Sequence, residues 1–312
     1  MFVYTKGESK TGILEGTLPA LLTPYKNDGS INEKEFMRYC EFGISKGLDG
    51  LFCNGSVGDS QALSPQKQID LMKLCKEVCK NKLPIITGIA SPVYQNSIIL
   101  AEKAYEIGLD ALLLAMPYYY KFSEETLFEY VKDLTRKIKL PLYIYNIPLF
   151  APALSLNLIE KLSKLDGVVG IKDSSGDALL LNHILDVVPT NFDVFVGREE
   201  FYAGALFAGA KGSMTSIGGI FPELMSEIYH CMKKKDYERA LLVQKSLLKI
   251  IRFAMSLAFP MGFALLLKAR GFEFANASIH PLSLSTKEAL SVRFDEAKAL
   301  IKSIEKETSI AL

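Results

Sequence analysis

Residues 168–177 read VVGIKDSSGD, an apolar run that ends in a lysine and a polar turn containing glycine. An apolar run of this length, followed by turn residues, predicts a buried strand. Lys172 comes at the end of that strand, although lysine is among the residues least often buried. An amine in a desolvated pocket has its ammonium form disfavoured, so it can attack a ketone as a nucleophile. Lys172 is therefore either such a nucleophile or simply the point where the strand meets water.

The same strand-and-helix unit recurs eight times along the chain. The apolar runs are residues 17–22, 50–53, 84–88, 111–115, 142–145, 168–171, 194–196 and 212–215. The helical patterns are residues 33–45, 65–79, 97–107, 124–138, 155–165, 179–187, 222–231, 237–249 and 287–302. Alternating strands and helices with short links predict a parallel sheet, and eight units fit a closed (β/α)8 TIM barrel.

A C-terminal helical extension follows the predicted barrel. We expect the barrel, with a short N-terminal tail, to occupy residues 1–233, and residues 234–312 to form helices packed on it. An open doubly wound sheet would carry a glycine-rich phosphate turn after its first strand. Residues 23–26 read TPYK at that position, so the dinucleotide fingerprint is absent.

The composition excludes several classes of function. The 312 residues are 49% hydrophobic and 23% charged, with a net charge of +1, so nothing indicates binding to nucleic acid or an anionic membrane. The start of the chain lacks the pattern of a signal peptide. The longest uncharged stretch, residues 253–267, contains Pro260 and Gly262 and is shorter than a membrane helix. We therefore expect a soluble, cytoplasmic protein.

The cysteines and histidines suggest no metal site. The five cysteines form no zinc pattern, and the three histidines are far apart in the sequence. None of the histidines ends an apolar strand, so we expect neither a metal centre nor a Ser-His-Asp triad.

Polar groups follow several of the predicted strands, and in TIM barrels the chemistry lies at the carboxyl ends of the strands. The turn at residues 55–58, GSVG, can aim backbone N–H groups and the Ser56 hydroxyl at a small carboxylate, or it is a plain connection. Tyr145 can exchange protons, or it is a buried aromatic residue. Together with Lys172, these groups can bind a 2-oxo acid as an imine.

Four motifs in the same order and spacing resemble those of the dihydrodipicolinate synthase / N-acetylneuraminate lyase family of class I pyruvate-dependent aldolases. They are GSVGD at 55–59, PYY at 117–119, YNIP at 145–148 and GIKDSSGD at 170–177. The resemblance covers nearly the whole chain. It implies that Lys172 forms a Schiff base with pyruvate, with no other cofactor, and that Tyr145 is the general acid/base. It also implies that Ser56 and the N–H of Val57 hold the pyruvate carboxylate, with Ser56 relaying protons.

The family resemblance also concerns the rest of the substrate and the assembly. Gly197, Glu199, Glu200 and Thr215 fall where sugar-acid-cleaving members contact the remainder of the substrate. Tyr119 corresponds to the tyrosine that members insert into a neighbouring subunit's site, which implies a homotetramer built from two dimers.

Two residues depart from the family pattern. Val57 stands where a second hydroxyl is common, so only its N–H is available to a carboxylate. Phe150 stands where synthases place the arginine that binds the carboxylate of aspartate semialdehyde. Arg198 is a conceivable substitute from another loop.

The pattern favours a lyase or aldolase that cleaves or condenses a 2-oxo sugar acid, such as a 2-keto-3-deoxy-sugar acid or N-acetylneuraminate, with pyruvate as one product. One alternative is 4-hydroxy-tetrahydrodipicolinate synthase activity, which condenses pyruvate with aspartate semialdehyde. A second alternative is a non-catalytic barrel that binds 2-oxo acids, although such a protein would be expected to lose Lys172 or Tyr145, and both are present.

Overall fold

Eight parallel strands form the centre of the fold in the computed structural model, which describes residues 14–275 and 284–312. The strands are β1 Gly16–Pro19, β2 Leu51–Cys53, β3 Ile85–Gly88, β4 Ala111–Ala115, β5 Leu142–Asn146, β6 Val168–Asp173, β7 Asp193–Val196 and β8 Gly212–Thr215. The sheet runs from β2 in sequence order to β8, which pairs with β1. A parallel bridge between Ala20 and Phe52 joins the two ends. The predicted (β/α)8 TIM barrel is therefore confirmed.

Helices surround the barrel and continue beyond it. They are α1 Glu33–Ser45, α2 Pro65–Cys79, α3 Tyr94–Ile107, α4 Glu124–Lys137, α5 Leu156–Ser163, α6 Ala178–Val187, α7 Tyr202–Ala208, α8 Ser216–Ile220, α9 Pro222–Lys234, α10 Tyr237–Met255, α11 Met261–Ala269 and α12 Leu284–Thr308. Residues 1–13, where the sequence predicts a short tail without a signal peptide, lie outside the described residues.

Local sequence signals explain where several helices begin. Ser64, Ser123 and Ser155 each accept a hydrogen bond from the backbone N–H three residues later. Asp177 accepts two such bonds, from the N–H groups of Leu179 and Leu180. These side chains satisfy donors that have no partner within the helix, which stabilises each helix start by about 1 kcal/mol.

The strands read as continuous apolar runs because both of their faces are covered. Every residue of β1, β2, β3, β7 and β8 is buried. Inside the barrel, the ring of Tyr143 occupies the space that a Cβ on Gly170 would need, and it packs edge-on against Phe195. This filling makes the barrel interior a packed core beneath the ends of the strands.

The C-terminal helices share one apolar core with the barrel. Gly262 allows α11 to approach α10, because a Cβ there would overlap the carbonyl oxygen of Ala254. The division of the chain at residue 233 falls within α9 and stays a prediction. In the described ranges, none of the helices combines the length and apolar character that a bilayer-spanning segment requires.

A buried ion pair joins the C-terminal helices to the barrel. The guanidinium of Arg270 lies 2.7 Å from the Glu223 carboxylate, and their side chains are 5% and 9% exposed. Lys46 lies 3.1 Å from the same carboxylate oxygen, but its side chain is 40% exposed. The negative charge of Glu223 therefore balances the positive charge of a guanidinium that has little access to water.

We predict that Glu223→Ala lowers the free energy of unfolding by roughly 3–5 kcal/mol, because it leaves the Arg270 charge buried without a partner. Removing the exposed pair between Glu160 and Lys164 through Glu160→Ala should cost only about 0–1 kcal/mol. The shift of the urea-unfolding midpoint measures both effects. The double variant Glu223→Leu/Arg270→Met should recover most of the loss, and equal shifts for the two single variants would contradict the prediction.

Candidate active site

Lys172 lies at the centre of a cleft at the carboxyl ends of the strands. It is the penultimate residue of β6, and only 4% of its surface is exposed, so the strand does not meet bulk water here. Its Nζ atom lies 4.1 Å from the centre of the Tyr145 ring and 5.1 Å from that of Phe52. Tyr145 stands directly beside Lys172 in the pairing of β5 with β6. Two aromatic rings therefore contact the amine.

Gly197 provides the space for the Lys172 side chain. A Cβ at residue 197 would overlap the Oγ atom of Ser174 and lie 2.8 Å from Cε of Lys172. The backbone N–H of Gly197 donates to the carbonyl oxygen of Asp173 at 2.7 Å, which holds the residue against the end of β6. A side chain at this position would have to displace the lysine or the loop.

Ser174 belongs to the site, although the sequence analysis assigned it no role. Its hydroxyl donates to the Tyr145 hydroxyl at 3.4 Å, and both side chains are buried. Ser174 follows Lys172 by two residues, and side chains two apart in extended chain point the same way. That spacing was the signal in the sequence that could have identified it.

The residues next to Tyr145 and Lys172 hold the two strand ends together. Asn146 donates from Nδ2 to the Asp173 carboxylate at 2.7 Å and accepts from the N–H of Leu154 at 3.0 Å. The other oxygen of Asp173 accepts from the Ser175 hydroxyl at 2.8 Å. Burial raises the pKa of the Asp173 carboxyl, against the effect of these hydrogen bonds. The hydrogen bond between Asn146 and Asp173, here called the clamp, fixes the backbone that carries the phenol and the amine.

The predicted carboxylate-binding turn lies at the cleft. Residues Ser56–Gly58 form one turn of 3-10 helix, and Ser56 and Val57 line the cleft. Thr23 fixes the turn by donating from Oγ1 to the Gly58 carbonyl oxygen at 2.7 Å. The first N–H groups of a helix have no partner within it, and within the described chain no acceptor takes those of Ser56 or Val57.

Glu199 and Thr215 place further polar groups beside the cleft. Glu199 is 5% exposed, and its carboxylate accepts from the N–H of Ile217 at 2.9 Å. Burial raises the pKa of Glu199, while the nearby charge of Lys172 acts in the opposite direction. The Oγ1 atom of Thr215 is buried, and no described residue hydrogen-bonds to it. These are polar groups that a ligand can contact.

Helix α10 supports the loop after β7 from behind. Gln244 donates from Nε2 to the carbonyl oxygen of Glu199 at 2.8 Å, and its Oε1 accepts from the N–H of Ala203 at 2.9 Å. The side chain is buried, so the two bonds are shielded from water. The sequence analysis did not identify Gln244, because nothing local connects it with residues more than 40 positions earlier.

Two of the predicted site residues lie away from the others in the single chain. Tyr119 is 80% exposed, with its ring 4.9 Å from that of Tyr120, and it does not line the cleft. Glu200 is exposed and is also absent from the cleft wall. Gly197, Glu199 and Thr215 do line the cleft with Lys172.

Phe150 and Arg198 both line the cleft. Phe150 packs against Phe259 with ring centres 5.1 Å apart and is 42% exposed. Arg198 is partly buried, and its Nε atom would lie 3.6 Å from a Cβ on Gly176. The cleft wall therefore includes an aromatic ring from the loop after β5 and Arg198 from the loop after β7.

The cleft holds about 570 Å³ of space, including open solvent at its mouth. Over residues 14–275 and 290–312, no three His, Cys, Asp or Glu side chains form a group able to hold a metal ion. The residues that line the cleft carry an amine, a phenol, hydroxyls, a carboxyl, a guanidinium and backbone N–H groups.

Comparison with known proteins identifies the family. The sequence model of the dihydrodipicolinate synthetase family matches residues 13–300. The chain belongs to this family. Its members are class I aldolases and lyases, which confirms the enzyme class that the four motifs predict.

Known relatives of this family member match it over most of their length. The chain is 27% identical over 296 residues to a 4-hydroxy-tetrahydrodipicolinate synthase of Bartonella bacilliformis, covering 93% of this chain and all of the relative. It is 31% identical over 245 residues to one of Agrobacterium fabrum, covering 77% and 82% of the two chains. The solved structure of the synthase from Methylacidiphilum fumariolicum SolV superposes with a TM-score of 0.85 at 25% identity, covering 95% and 99%.

We predict that Gly197→Ala lowers the rate of any reaction at the Lys172 amine by roughly 100-fold, because a displacement of about 1 Å is enough for such a loss. The added Cβ would push Cε of Lys172 and the Ser174 hydroxyl from their positions. The rate at which borohydride traps pyruvate on the protein measures the effect, and circular dichroism checks that the barrel is intact. A folded variant with the wild-type trapping rate would show that the cleft accommodates the methyl group.

Proposed function

We propose that this family member is a Schiff-base-forming, pyruvate-dependent lyase or aldolase that acts on a 2-oxo sugar acid. The observation that carries the proposal is the buried amine of Lys172, 4.1 Å from the centre of the Tyr145 ring, in a cleft with Ser56 and Val57. A buried lysine amine surrounded by aromatic rings suits nucleophilic attack better than ion pairing.

The proposed reaction begins with addition of the Lys172 amine to the keto carbon of the 2-oxo acid. The adduct loses water and leaves a protonated imine, which accepts the electron pair when the bond between C3 and C4 breaks. The C4 hydroxyl gives its proton to a base as the aldehyde leaves, C3 takes up a proton, and water hydrolyses the imine to release pyruvate and regenerate the amine. The imine is the electron sink, so the proposal involves no metal and no separate cofactor.

Tyr145 and Ser56 carry out the proton transfers in this proposal. The Tyr145 hydroxyl accepts a long hydrogen bond, 3.4 Å, from the Ser174 hydroxyl, and the Tyr145 ring lies beside the amine. General acids and bases of this kind contribute roughly 10²- to 10⁴-fold to turnover. Ser56, which lines the same cleft, relays protons and contacts the carboxylate of the 2-oxo acid.

The proposed carboxylate site is the turn at Ser56 and Val57. Their N–H groups begin a short helical turn, and such groups can bind an anion directly. Val57 contributes no hydroxyl, so the backbone carries more of the binding than in relatives with two hydroxyl side chains. The hydrogen bond from the Thr23 hydroxyl to the Gly58 carbonyl oxygen holds the turn, so these donors are in place before a ligand binds.

The distal half of the substrate is proposed to contact Gly197, Glu199 and Thr215, and to extend toward the exposed Glu200, which is the next residue after Glu199. A carboxyl and a hydroxyl beside the cleft can both bind the hydroxyl groups of a sugar chain. Phe150 favours this substrate over aspartate semialdehyde, because its ring offers no donor to a carboxylate.

Two observations favour a second candidate, 4-hydroxy-tetrahydrodipicolinate synthase activity. Arg198 lines the cleft and can supply the guanidinium that is missing at Phe150. A guanidinium at this place would bind the carboxylate of aspartate semialdehyde, as the synthase reaction requires. The relatives from Bartonella bacilliformis and Agrobacterium fabrum are also synthases by name. The two candidates share the amine, the phenol and pyruvate, and they differ in the aldehyde.

We also propose that the protein is a cytoplasmic homotetramer, a dimer of dimers, in which Tyr119 reaches the active site of a neighbouring subunit. Tyr119, Tyr120 and Phe122 form an exposed aromatic group, with ring centres 4.9 and 6.4 Å apart along the series. Large exposed aromatic groups are typical of interfaces between subunits. The only ligand partner proposed is a small 2-oxo acid.

We predict that borohydride reduction with pyruvate adds a three-carbon unit to Lys172, because reduction makes the imine bond permanent. Peptide mass spectrometry identifies the modified residue. Lys172→Met should abolish the labelling, whereas Lys211→Met, which removes an exposed lysine, should leave it unchanged. Labelling of a different lysine, or none in the wild-type protein, would overturn the Schiff-base mechanism.

We predict that the protein releases pyruvate from a 2-keto-3-deoxy-sugar acid or from N-acetylneuraminate, and condenses pyruvate with aspartate semialdehyde negligibly. A coupled assay of pyruvate measures cleavage, and absorbance of the cyclic product measures condensation. Efficient condensation without sugar-acid cleavage would replace the first candidate by the second. Labelling of Lys172 distinguishes this result from an inactive preparation.

A further inference from the structure

We infer that Gln244, on α10, is a positioning residue that sets the affinity of the cleft for the hydroxyl-bearing half of the substrate. It acts through the backbone of Glu199. The inference deepens the proposed function and rests on it, because the contact between Glu199 and the substrate belongs to that proposal. Gln244 itself does not line the cleft, so it is not a ligand contact.

The Gln244 side chain makes three hydrogen bonds to one short stretch of chain. Its Nε2 atom donates to the carbonyl oxygens of Glu199 at 2.8 Å and of Glu200 at 3.4 Å. Its Oε1 atom accepts from the N–H of Ala203 at 2.9 Å. Ala203 is the second residue of α7, where backbone N–H groups have no partner within the helix. Gln244 thus caps α7 from a different helix and fixes the turn that leads into it.

Two further hydrogen bonds tie the loop after β7 to the barrel. The N–H of Gly197 donates to the carbonyl oxygen of Asp173, which ends β6. The Glu199 carboxylate accepts from the N–H of Ile217, just after β8. Gln244 adds a third point of attachment, which comes from the C-terminal helices. Together the three points hold the Glu199 carboxyl at the wall of the cleft.

Burial makes this support sensitive to substitution. Gln244 is 7% exposed, so little water reaches its hydrogen-bonding partners. A buried donor or acceptor that loses its partner costs more free energy than the bond itself contributes, which favours a shift of the loop toward new partners. A shift of about 1 Å in a contact group is enough for a roughly 100-fold loss. Lys172 and Tyr145 belong to β6 and β5, outside the loop that Gln244 holds.

A test of this inference separates the hydroxyl contacts from the chemistry. The probes 5,6-dihydroxy-2-oxohexanoate and 2-oxohexanoate have the same chain length and differ only in the distal hydroxyl groups. Neither carries a hydroxyl on C4, so neither is cleaved, and both can form an imine with Lys172. Borohydride labelling over a range of concentrations gives the half-maximal concentration of each probe, with pyruvate as the reference. Ring closure of the dihydroxy probe in solution is the same for every variant and cancels in the comparison.

We predict that Gln244→Met raises the half-maximal concentration of the dihydroxy probe by roughly 10- to 100-fold, because methionine fills the space without hydrogen-bonding to the loop. The values for pyruvate and 2-oxohexanoate should match the wild type. Gln244→Glu keeps the acceptor but loses both donors, so it should act in the same direction. The control Ser246→Ala removes a buried hydroxyl on the same helix that bonds to Glu307, and it should leave all values unchanged.

A double variant tests whether Gln244 acts through Glu199. Glu199→Ala removes the carboxyl and should by itself raise the half-maximal concentration of the dihydroxy probe. Adding Gln244→Met should then raise it little further, because the group that Gln244 positions is gone. Fully additive effects of the two substitutions would overturn the inference.

The outcomes separate this inference from the proposed function. Equal losses for all probes in Gln244→Met, or no loss for any of them, would overturn the positioning role alone. An unchanged value for the dihydroxy probe in Glu199→Ala would overturn the proposed contact of Glu199 and this inference with it. Absence of labelling by pyruvate in the wild type would overturn the Schiff-base function and everything that rests on it.

Discussion

The site depends on keeping the Lys172 amine buried at the end of a barrel strand. The rings of Tyr145 and Phe52 contact the amine, and Gly197, which has no side chain, leaves room for the Lys172 side chain. No carboxylate of the described residues forms an ion pair with Lys172. A ligand in the cleft therefore has no partner carboxylate to displace before it reaches the Nζ atom of Lys172.

Side chains alternate along β5 and β6, so one pair of residues faces the cleft and the next pair holds the strands together. Tyr145 and Lys172 face the cleft, and their neighbours Asn146 and Asp173 bond to each other at 2.7 Å on the other side of the same strand ends. The clamp fixes the relative position of the two strands, so the phenol and the amine are held without using their own polar groups. Such preorganisation reduces the structural change needed during the reaction.

Much of the fold could be predicted because strands covered on both faces read as apolar runs. The bounds of α1 and α2 match the prediction, since Asn32 and Ser64 cap their first turns. Helix α7 is absent from the predicted helical patterns because its residues are largely apolar, which removes the periodic signal, and α11 was expected only as part of the C-terminal helical extension. Lys172 and Tyr145 could be found from their places at strand ends. Ser174 could have been found from its spacing of two residues from Lys172, whereas Gln244 depends on contacts with residues more than 40 positions earlier.

The two hydrogen bonds of Gln244 make the C-terminal helices part of the support of the cleft. The loop that carries Glu199 rests on α10, and Met255, Phe259 and Phe263 complete the wall of the cleft. The amine and the phenol, by contrast, belong to strands of the barrel itself. The barrel strands and the C-terminal helices thus contribute different parts of one cleft. Variation in the last third of the chain can therefore change the apolar wall of the cleft while the amine and the phenol stay in place.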